Sequence, residues 1–431
     1  MIFLIIGLAL LLLALFGVPL FAIIGAIGLI AFHSADIDPA ALIVELYRLA
    51  DFPALIAIPL FTFAGYVLAE SKAPQRLMNF VQALFGWMPG GMAVVALCTT
   101  AVFTAFTGAS GVTIIALGGL LFPSLLKHGY PEKFSLGLMT TSGSLGLLFP
   151  PSLPIILYAL VAKVSLDDLF LAGLVPGILL IILLSLYSVR VGVKAKVARI
   201  PFSFSNVWTS FKGAAWELPL PILVVGGIYG GIFTATEAAA VTAFYALIVE
   251  VFVRRDLKLF SDVPRVIRDS MVLVGAIFVM LGAAMGLTNY LIDQEIPKMF
   301  FEFISTYVTS KITFLIILNI FILIMNMIEI FSAIIIVVPI IVPIALQYGV
   351  NPIHLGIIFL LNLELGYMTP PLGLNLFLSS NRFNKPLTKV YSAALPFFAL
   401  VFIMLLIVTY IPDLSLLFVH TAAAGAAPAT P

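Results

Sequence analysis

The chain has 431 residues, of which 62% are hydrophobic and only 10% are charged, and its mean hydropathy is +1.21. So little charge excludes a soluble globular domain, because polar groups could not cover its surface, and a net charge of +1 gives no support for nucleic-acid binding. Since a membrane-spanning helix needs about 20 apolar residues, the composition predicts an all-α polytopic membrane protein.

The chain begins MIFLIIGLAL without a basic segment, which argues against a cleaved signal peptide. Residues 1–32 are predicted to form one kinked helix or two short ones around Gly17-Val18-Pro19. The tail, TAAAGAAPATP, is low in complexity and predicted to be disordered. Further spans are predicted at 54–70, 134–163, 168–189, 214–231, 233–252, 270–292, 353–380 and 391–411.

The lysines and arginines sort unevenly between the two faces of this predicted bundle. One face receives 17 of the 21, and the other receives only Arg48, Lys163, Lys298 and Lys311. Positive charge marks the cytoplasmic face, so we predict a bacterial inner-membrane protein with its C-terminus in the periplasm. This sorting requires that two remaining apolar stretches, 92–126 and 314–347, each return to the face from which they entered.

Both returning stretches are broken near the middle. The breaks are Thr107-Gly108-Ala109-Ser110-Gly111 and Asn326-Met327-Ile328-Glu329-Ile330-Phe331-Ser332. Each arm has roughly 16 residues, which span about 24 Å as a helix and fall short of a full crossing. We therefore predict two re-entrant helical hairpins whose tips lie near the middle of the membrane, against protein or a water-filled cavity.

A constant offset of 220 residues relates the two hairpins and the helices that follow them. It pairs Pro123 with Pro343, Gly129 with Gly349, Leu145-Gly146 with Leu365-Gly366, and Pro150-Pro151 with Pro370-Pro371. Segments 73–90 and 293–311 also correspond, as amphipathic pieces between a span and a hairpin. Because the charge pattern opens one hairpin to each side, we predict an inverted-topology repeat, which points to the binding site of a secondary transporter.

These patterns divide the chain into six predicted segments. They are N-terminal scaffold helices (1–53), repeat 1 (54–163), linking scaffold helices (164–273), repeat 2 (274–380), a final span (381–412) and an external tail (413–431).

Four breaks are expected to meet near the middle of the membrane: the two hairpin tips and the interruptions within 141–152 and 364–375. Unwound segments free carbonyl oxygens that suit a cation such as sodium, and half-helix N-termini can hold a carboxylate without a basic side chain. Hydroxyl groups available to complete the cation shells belong to Ser110, Ser144, Ser332 and Thr369.

Glu329 and Glu364 are the acids predicted to lie inside, where a charge costs roughly 2.5–3.5 kcal/mol on insertion scales. Both ion coupling and a structural hydrogen bond or helix cap stay open for them. Glu237 follows Thr234 in a capping-box pattern, which favours a structural role. Three asparagines in apolar runs fit helix bridging as well as substrate contact: Asn326, Asn362 and Asn375. The four histidines show no metal-binding spacing.

Three stretches resemble the large membrane subunit of TRAP (tripartite ATP-independent periplasmic) transporters, and the resemblance extends over the chain except its tail. They are GYPEKFSLGLMTTSGSLGLLFPPSLPIILYALVAKVSLDDLFLAGLVPG, GIYGGIFTATEAAAV and NPIHLGIIFLLNLELGYMTPPLGLNLFLSS. The resemblance implies a separate small four-helix membrane subunit and a soluble periplasmic substrate-binding protein. It also implies sodium-driven uptake of an organic acid, such as a C4-dicarboxylate or a sialic acid, by an elevator mechanism. In that mechanism, 73–90 and 293–311 correspond to arm helices.

Carried onto this sequence, the resemblance places sodium, the coupling ion, at two sites, each between a hairpin tip and a broken helix. No other cofactor is predicted. Sodium site 1 is predicted from Gly108, Ser110, Gly111, Ser142, Ser144 and Gly146. Sodium site 2 is predicted from Ile328, Glu329, Ser332, Gly366, Met368 and Thr369. The substrate is expected to contact Thr107, Ser110, Pro150, Pro151, Ser152, Thr369, Pro370 and Asn375. One departure concerns the second tip, where the family has an aspartate followed by proline and this chain has Glu329-Ile330.

Other function classes are less compatible with the sequence. Gly108-Ala109-Ser110-Gly111 fits the nucleophile motif of an intramembrane serine protease, but no histidine is predicted at that depth to act as the base. The sequence has no phosphate-binding Gly-x-x-x-x-Gly-Lys-Ser/Thr loop, so we predict neither ATP hydrolysis nor another enzyme activity. A stand-alone carrier, an exporter or a channel on the same scaffold stays open.

Overall fold

The computed structural model describes residues 12–13, 16, 18–49, 52–325, 330–370 and 373–419. Regular structure within these ranges is helical, and no strand occurs in them. This follows from the composition, because a helix satisfies all its backbone hydrogen bonds internally and can lie in lipid. The predictions for residues 1–11 and for most of the tail lie outside the described residues.

The part before the first hairpin contains α1 (Leu20–Ser34), α2 (Ala40–Arg48), α3 (Pro53–Glu70) and α4 (Ala73–Phe85). Helix α1 begins directly after Pro19. Gly17, part of the predicted break, lies outside the described residues. Helix α2 was not predicted. The amphipathic α4 lies in the segment predicted to be the first arm helix, and it turns away from α3 by 76°.

The first hairpin and the broken helix after it contain α5 (Gly91–Thr107), α6 (Ser110–Ala116), α7 (Gly118–Lys127), α8 (Glu132–Ser142), a 3₁₀ turn (Leu145–Leu148) and α9 (Leu153–Ala162). The second arm of this hairpin is not continuous, since α6 and α7 meet at an angle of 51°. Pro123 has no N–H to donate to the carbonyl of Gly119, which weakens the helix there. A side chain at Gly118 would meet the ring of Phe383, so the glycine also allows a close contact at the bend.

The middle of the chain contains α10 (Leu166–Lys194), α11 (Phe204–Gly213), α12 (Pro219–Tyr229), α13 (Ala235–Ile248) with a π turn (Val249–Val253), and α14 (Asp262–Asp293). The predicted capping box at the start of α13 is confirmed. Thr234 Oγ1 accepts a hydrogen bond from the Glu237 N–H at 3.3 Å, and Glu237 Oε2 accepts one from the Thr234 N–H at 2.8 Å. The span predicted at 214–231 is shorter than expected, because its helix begins only at Pro219.

The last part contains α15 (Ile296–Tyr307), α16 (Lys311–Met325), α17 (Ile330–Gln347), α18 (Pro352–Gly366), α19 (Leu374–Phe383), α20 (Leu387–Tyr410) and α21 (Asp413–Leu416). Helix α15 lies in the segment predicted to be the second arm helix, and α16 with α17 flank the predicted second tip. The bounds follow the 220-residue offset closely. Adding 220 to the first residue of α6 and the last residue of α7 gives 330 and 347, the bounds of α17.

The two halves exchange contacts in a reciprocal way. Helix α9 of the first half packs against α17, while α19 of the second half packs against α6. Likewise α20 packs against α8, and α10 packs against α18. Each hairpin is therefore covered by the helix that follows the break in the other half.

Four described helices are long and apolar enough to cross a membrane: α10, α13 with its π turn, α14 and α20. The number rises to eight if each bent pair of helices counts as one span. The apolar outer surface and the helix lengths establish a polytopic membrane protein.

Candidate functional site

The tip of the first hairpin is a tight turn at Gly108. This glycine has φ +62°, a left-handed conformation that residues other than glycine rarely adopt. A Cβ at position 108 would also lie 2.4 Å from Leu153 Cγ. The turn therefore seats Thr107 and Ser110 in the interior, where both are at most 1% exposed, against the start of α9.

The same hairpin is joined to the break after α8. Thr104 Oγ1 lies 2.9 Å from the carbonyl oxygen of Gly143, to which it can donate, and 2.8 Å from Thr113 Oγ1. A Cβ at Gly146 would lie 2.3 Å from the backbone nitrogen of Ala105, so the two backbones are in direct contact there. Of the six residues predicted for sodium site 1, all are buried except Gly111, which is half-buried. The ligand set stays a prediction.

Two of these buried residues have a hydroxyl group without a hydrogen-bond partner among the described residues: Ser110 Oγ and Ser142 Oγ. Ser144 differs, because its hydroxyl donates to the Thr141 carbonyl at 3.1 Å. Buried polar groups without a partner are uncommon in folded proteins. Oxygen ligands of this kind, beside unwound carbonyls, suit a sodium ion.

The two broken helices touch each other at their breaks. Asn375 at the start of α19 donates from Nδ2 to the Thr140 carbonyl at 3.1 Å and to Ser144 Oγ at 3.4 Å. The Thr141 hydroxyl lies 3.0 Å from Met368 Sδ. Asn375 therefore bridges helices, and its Oδ1 is buried without a partner among the described residues. Three of the four breaks predicted to meet are in contact.

The predicted sodium site 2 is described only in part. Its tip residues Ile328 and Glu329 lie outside the described residues. The Ser332 hydroxyl lies 3.0 Å from Met280 Sδ on α14, and Thr369 Oγ1 donates to the Leu365 carbonyl at 2.8 Å. Gly366 is buried at the end of α18. The ligand set predicted for this site stays a prediction.

The predicted substrate contacts differ in exposure between the two breaks. Pro150, Pro151 and Ser152 are buried, and the Ser152 hydroxyl donates to the Leu147 carbonyl at 2.6 Å. At the second break Thr369 is half-buried and Pro370 is exposed. Pro371 lies outside the described residues. The second break is thus the more open of the two.

Glu364 is fully buried, and neither carboxylate oxygen has a hydrogen-bond partner among the described residues. The described chain therefore contains no donor that would support a structural hydrogen bond. Nearby on α18, Asn362 does bridge helices: its Nδ2 donates to Asn319 Oδ1 on α16 at 2.7 Å. Asn319 in turn donates to Thr409 Oγ1 on α20 at 3.3 Å.

A buried ionic cluster that was not predicted from the sequence lies at the start of α4. Arg76 on the first arm helix pairs with Glu217 at 2.6 Å, with Glu250 at 2.9 Å and with Asp256 at 2.6 Å. Glu217 is 2% exposed and Glu250 is 0% exposed. Both lie in apolar stretches near span ends, and that signal could have identified them.

Asp256 closes this cluster from the loop before α14. Partial burial acts to raise the pKa of its carboxyl group, but hydrogen bonds from Arg76 and from the Lys72 N–H outweigh it and hold that pKa below its usual value. Arg254 pairs with Glu217 at 3.3 Å. The cluster joins the first turn of α4 to the turn before α12, to the π turn after α13 and to the loop before α14.

Comparison with known proteins gives a consistent result. The family model "Tripartite ATP-independent periplasmic transporter, DctM component" matches residues 5–414. The C4-dicarboxylate TRAP transporter large permease protein DctM of Pseudomonas aeruginosa is 36% identical over 394 residues, covering 91% of this chain and 92% of that protein. These relatives are transporter permeases and not enzymes, as we predicted for this chain.

Two further relatives carry other substrate names. The isethionate TRAP transporter permease protein DctMQ of Oleidesulfovibrio alaskensis is 35% identical, covering 93% of this chain and 64% of that protein. The ectoine/5-hydroxyectoine TRAP transporter large permease protein UehC of Ruegeria pomeroyi is 30% identical, covering 84% and 85%. Among solved structures, the YdaH transporter of Alcanivorax borkumensis matches with a TM-score of 0.60 at 13% identity, over 86% of this chain and 87% of that one. That likeness concerns the fold alone.

Proposed function

This chain belongs to the DctM component family of TRAP transporters, and on this premise we propose that it is a sodium-coupled importer of a small organic acid. The observation that carries the proposal is the buried pair of hydroxyl groups, Ser110 Oγ and Ser142 Oγ, beside the unwound turn after α8. A sodium ion bound there would supply the interaction that these oxygens lack. No other cofactor is proposed.

The substrate class follows from the relatives and from the site. C4-dicarboxylates, isethionate and ectoine all carry a carboxylate or sulfonate group, and their names appear in relatives of this chain. At the contacting breaks, the N-terminal ends of α9 and α19 offer backbone donors to such a group. We propose that the substrate lies between these breaks, against the predicted set Thr107, Ser110, Pro150, Pro151, Ser152, Thr369, Pro370 and Asn375.

Family members work with a small membrane subunit and a periplasmic substrate-binding protein, in the bacterial inner membrane. We propose that the small subunit of this system is a separate polypeptide. The relative named DctMQ is longer, and this chain covers only 64% of it. The orientation with the C-terminus in the periplasm is part of the same proposal and rests on the sorting of basic residues.

The proposed movement is that of an elevator built on an inverted repeat. The matched helix bounds and the reciprocal packing of α9 on α17 and of α19 on α6 support two related halves. The arm helices α4 and α15 connect the moving part to the scaffold. The ionic cluster at Arg76 would keep the first arm fixed at its scaffold end.

The direct test is uptake by the reconstituted system. The chain and its small partner subunit are inserted into liposomes, and a labelled C4-dicarboxylate is added on its binding protein, with and without an inward sodium gradient. We expect uptake only when both sodium and the binding protein are present. Uptake without a binding protein would instead support a stand-alone carrier, an exporter or a channel, and uptake indifferent to sodium would refute the sodium coupling.

A further inference from the structure

Helix α11 (Phe204–Gly213) presents an apolar face that the described part of the protein leaves largely uncovered. None of its residues is buried. Phe204, Trp208 and Phe211 follow one another at helical spacing and are 74%, 51% and 40% exposed. Of these three rings, Phe211 lies near the first arm helix, with its centroid 5.9 Å from that of Phe80.

Helix α11 lies close to the ends of membrane-spanning helices. It lies between the end of α10 at Lys194 and the start of α12 at Pro219. The segment before it is tied down by backbone hydrogen bonds, from the Ala198 N–H to the His128 carbonyl and from the Ile200 N–H to the Gly86 carbonyl, both 3.1 Å. A helix held beside the ends of spans lies near the membrane surface.

The positions of the tryptophans agree with a location near the membrane surface. The chain has three tryptophans, and Trp87, Trp208 and Trp216 are each between 45% and 51% exposed. Trp208 lies on α11, and Trp216 comes eight residues after Trp208. The ring of Trp87 contacts that of Phe202 edge to face, with 6.4 Å between the centroids. Tryptophan is enriched at the boundary between lipid headgroups and acyl chains, because its ring is apolar and its N–H is polar.

The exposed charges on α11 and in the sequence just before it are all positive. Residues 169–216 contain no Asp or Glu, and they contain five exposed basic residues: Arg190, Lys194, Lys196, Arg199 and Lys212. Lys212 Nζ lies 5.2 Å from the centre of the Trp208 ring, so a cation sits directly beside the apolar face. An amphipathic helix with aromatic residues on one side and basic residues at its border is typical of binding to an anionic lipid surface.

We propose that α11 is a membrane-surface anchor. Its aromatic face enters the boundary between headgroups and acyl chains, and the five basic residues bind the headgroups of anionic phospholipids. The anchor holds the loop between α10 and α12 at the surface, next to the first arm helix. This proposal is independent of the transported substrate and of sodium coupling.

The test uses Trp208 as its own reporter. Replacing Trp87→Phe and Trp216→Phe leaves Trp208 as the single tryptophan, and both replaced rings are about half exposed, which favours normal folding. The protein is reconstituted in equal parts of phosphatidylcholine and phosphatidylglycerol, with brominated acyl chains on one lipid or the other. We expect brominated phosphatidylglycerol to quench Trp208 about twofold more strongly than brominated phosphatidylcholine, and salt to reduce the difference.

The matched variants separate lipid charge from simple proximity. Replacing Lys194, Lys196, Arg199 and Lys212 by glutamine should make the two lipids quench equally, while Lys298→Gln, an exposed change elsewhere, should leave the preference intact. Absence of quenching by either lipid, or equal quenching in the single-tryptophan protein, would overturn the proposal. It would also be overturned if adding the small membrane subunit abolished the quenching, since the face would then be a protein contact.

Discussion

Residue 146 must be glycine because the first broken helix touches the first hairpin there. A Cβ at this position would lie 2.3 Å from the Ala105 nitrogen and 2.4 Å from the Ala101 carbonyl oxygen. We expect Gly146→Ala to lower the free energy of unfolding by about 1–3 kcal/mol and to reduce sodium-dependent uptake. Thermal unfolding in detergent, followed by circular dichroism, measures the first effect.

The control for this substitution is Gly275→Ala on α14, where an added Cβ meets nothing within 4 Å. That change should stabilise the helix by about 0.5–1 kcal/mol, because alanine has less backbone freedom to lose. If Gly146→Ala unfolded at the same temperature as the wild-type chain, the close contact between α5 and the break would be refuted.

Glu364 gives a second prediction at the scale of a single residue. Since its buried carboxyl group has no donor among the described residues, the apolar side chain in Glu364→Met should raise the free energy of unfolding by about 1–3 kcal/mol. For comparison, Thr234→Ala removes a helix cap and should lower it by about 1 kcal/mol. Unfolding of the Glu364→Met protein at a lower temperature than wild type would show that the carboxyl group holds the fold together.

Single residues also show what a sequence can and cannot predict. The capping box of Thr234 and Glu237 was predictable, because both partners lie within one helical turn. The ion pairs of Arg76 were not predictable, because Glu217 and Asp256 lie 141 and 180 residues after Arg76 in the chain. For the same reason, the breaks could be located from glycine and proline, but the bridge from Asn375 to Thr140 could not.

At the scale of helices, the ionic cluster stabilises the packing of the start of α4 against its neighbours. Removing Arg76 would leave three carboxylates close together with Arg254 as their remaining partner in the cluster. We expect Arg76→Ala to lower the free energy of unfolding by about 3–5 kcal/mol, the usual effect of breaking a buried ion pair. Glu250→Gln in the same protein should recover part of that loss, because it removes one unpaired charge.

A double-mutant cycle in detergent measures this coupling. The control is Arg268→Ala, whose side chain is 72% exposed and pairs with the neighbouring Asp269, and little change is expected there. Additive effects of Arg76→Ala and Glu250→Gln would contradict the cluster as the fastening of α4.

Helix bounds were predictable to the extent that periodic apolar runs ended at glycine or proline. The described helices follow the predicted order, and α17 starts at the residue that the offset gives for α6. The 51° bend between α6 and α7 was not predicted. Phe383, a residue distant in sequence, packs at this bend against Gly118.

At the scale of the whole molecule, the inverted repeat predicts that the C-terminal ends of the two hairpins lie on opposite faces of the membrane. Lys127 and Gln347 are both exposed and are related by the offset of 220. In a Cys98→Ala background, which removes the single native cysteine, we expect a membrane-impermeant maleimide to label Gln347→Cys in intact cells. Lys127→Cys should be labelled only after permeabilisation. Labelling of both positions from the same side would refute the inverted arrangement.

The central claim is that sodium binds where the first hairpin tip meets the break after α8. The most direct measurement is the flux of radioactive sodium with substrate, as a function of sodium concentration, in wild type, Ser110→Ala and Ser188→Ala. Ser188 is a buried control on α10 whose hydroxyl already donates to the Leu184 carbonyl at 2.7 Å. We predict that Ser110→Ala raises the sodium concentration for half-maximal flux about tenfold, equivalent to about 1.4 kcal/mol, while Ser188→Ala leaves it unchanged. An unchanged sodium dependence in Ser110→Ala would contradict the claim.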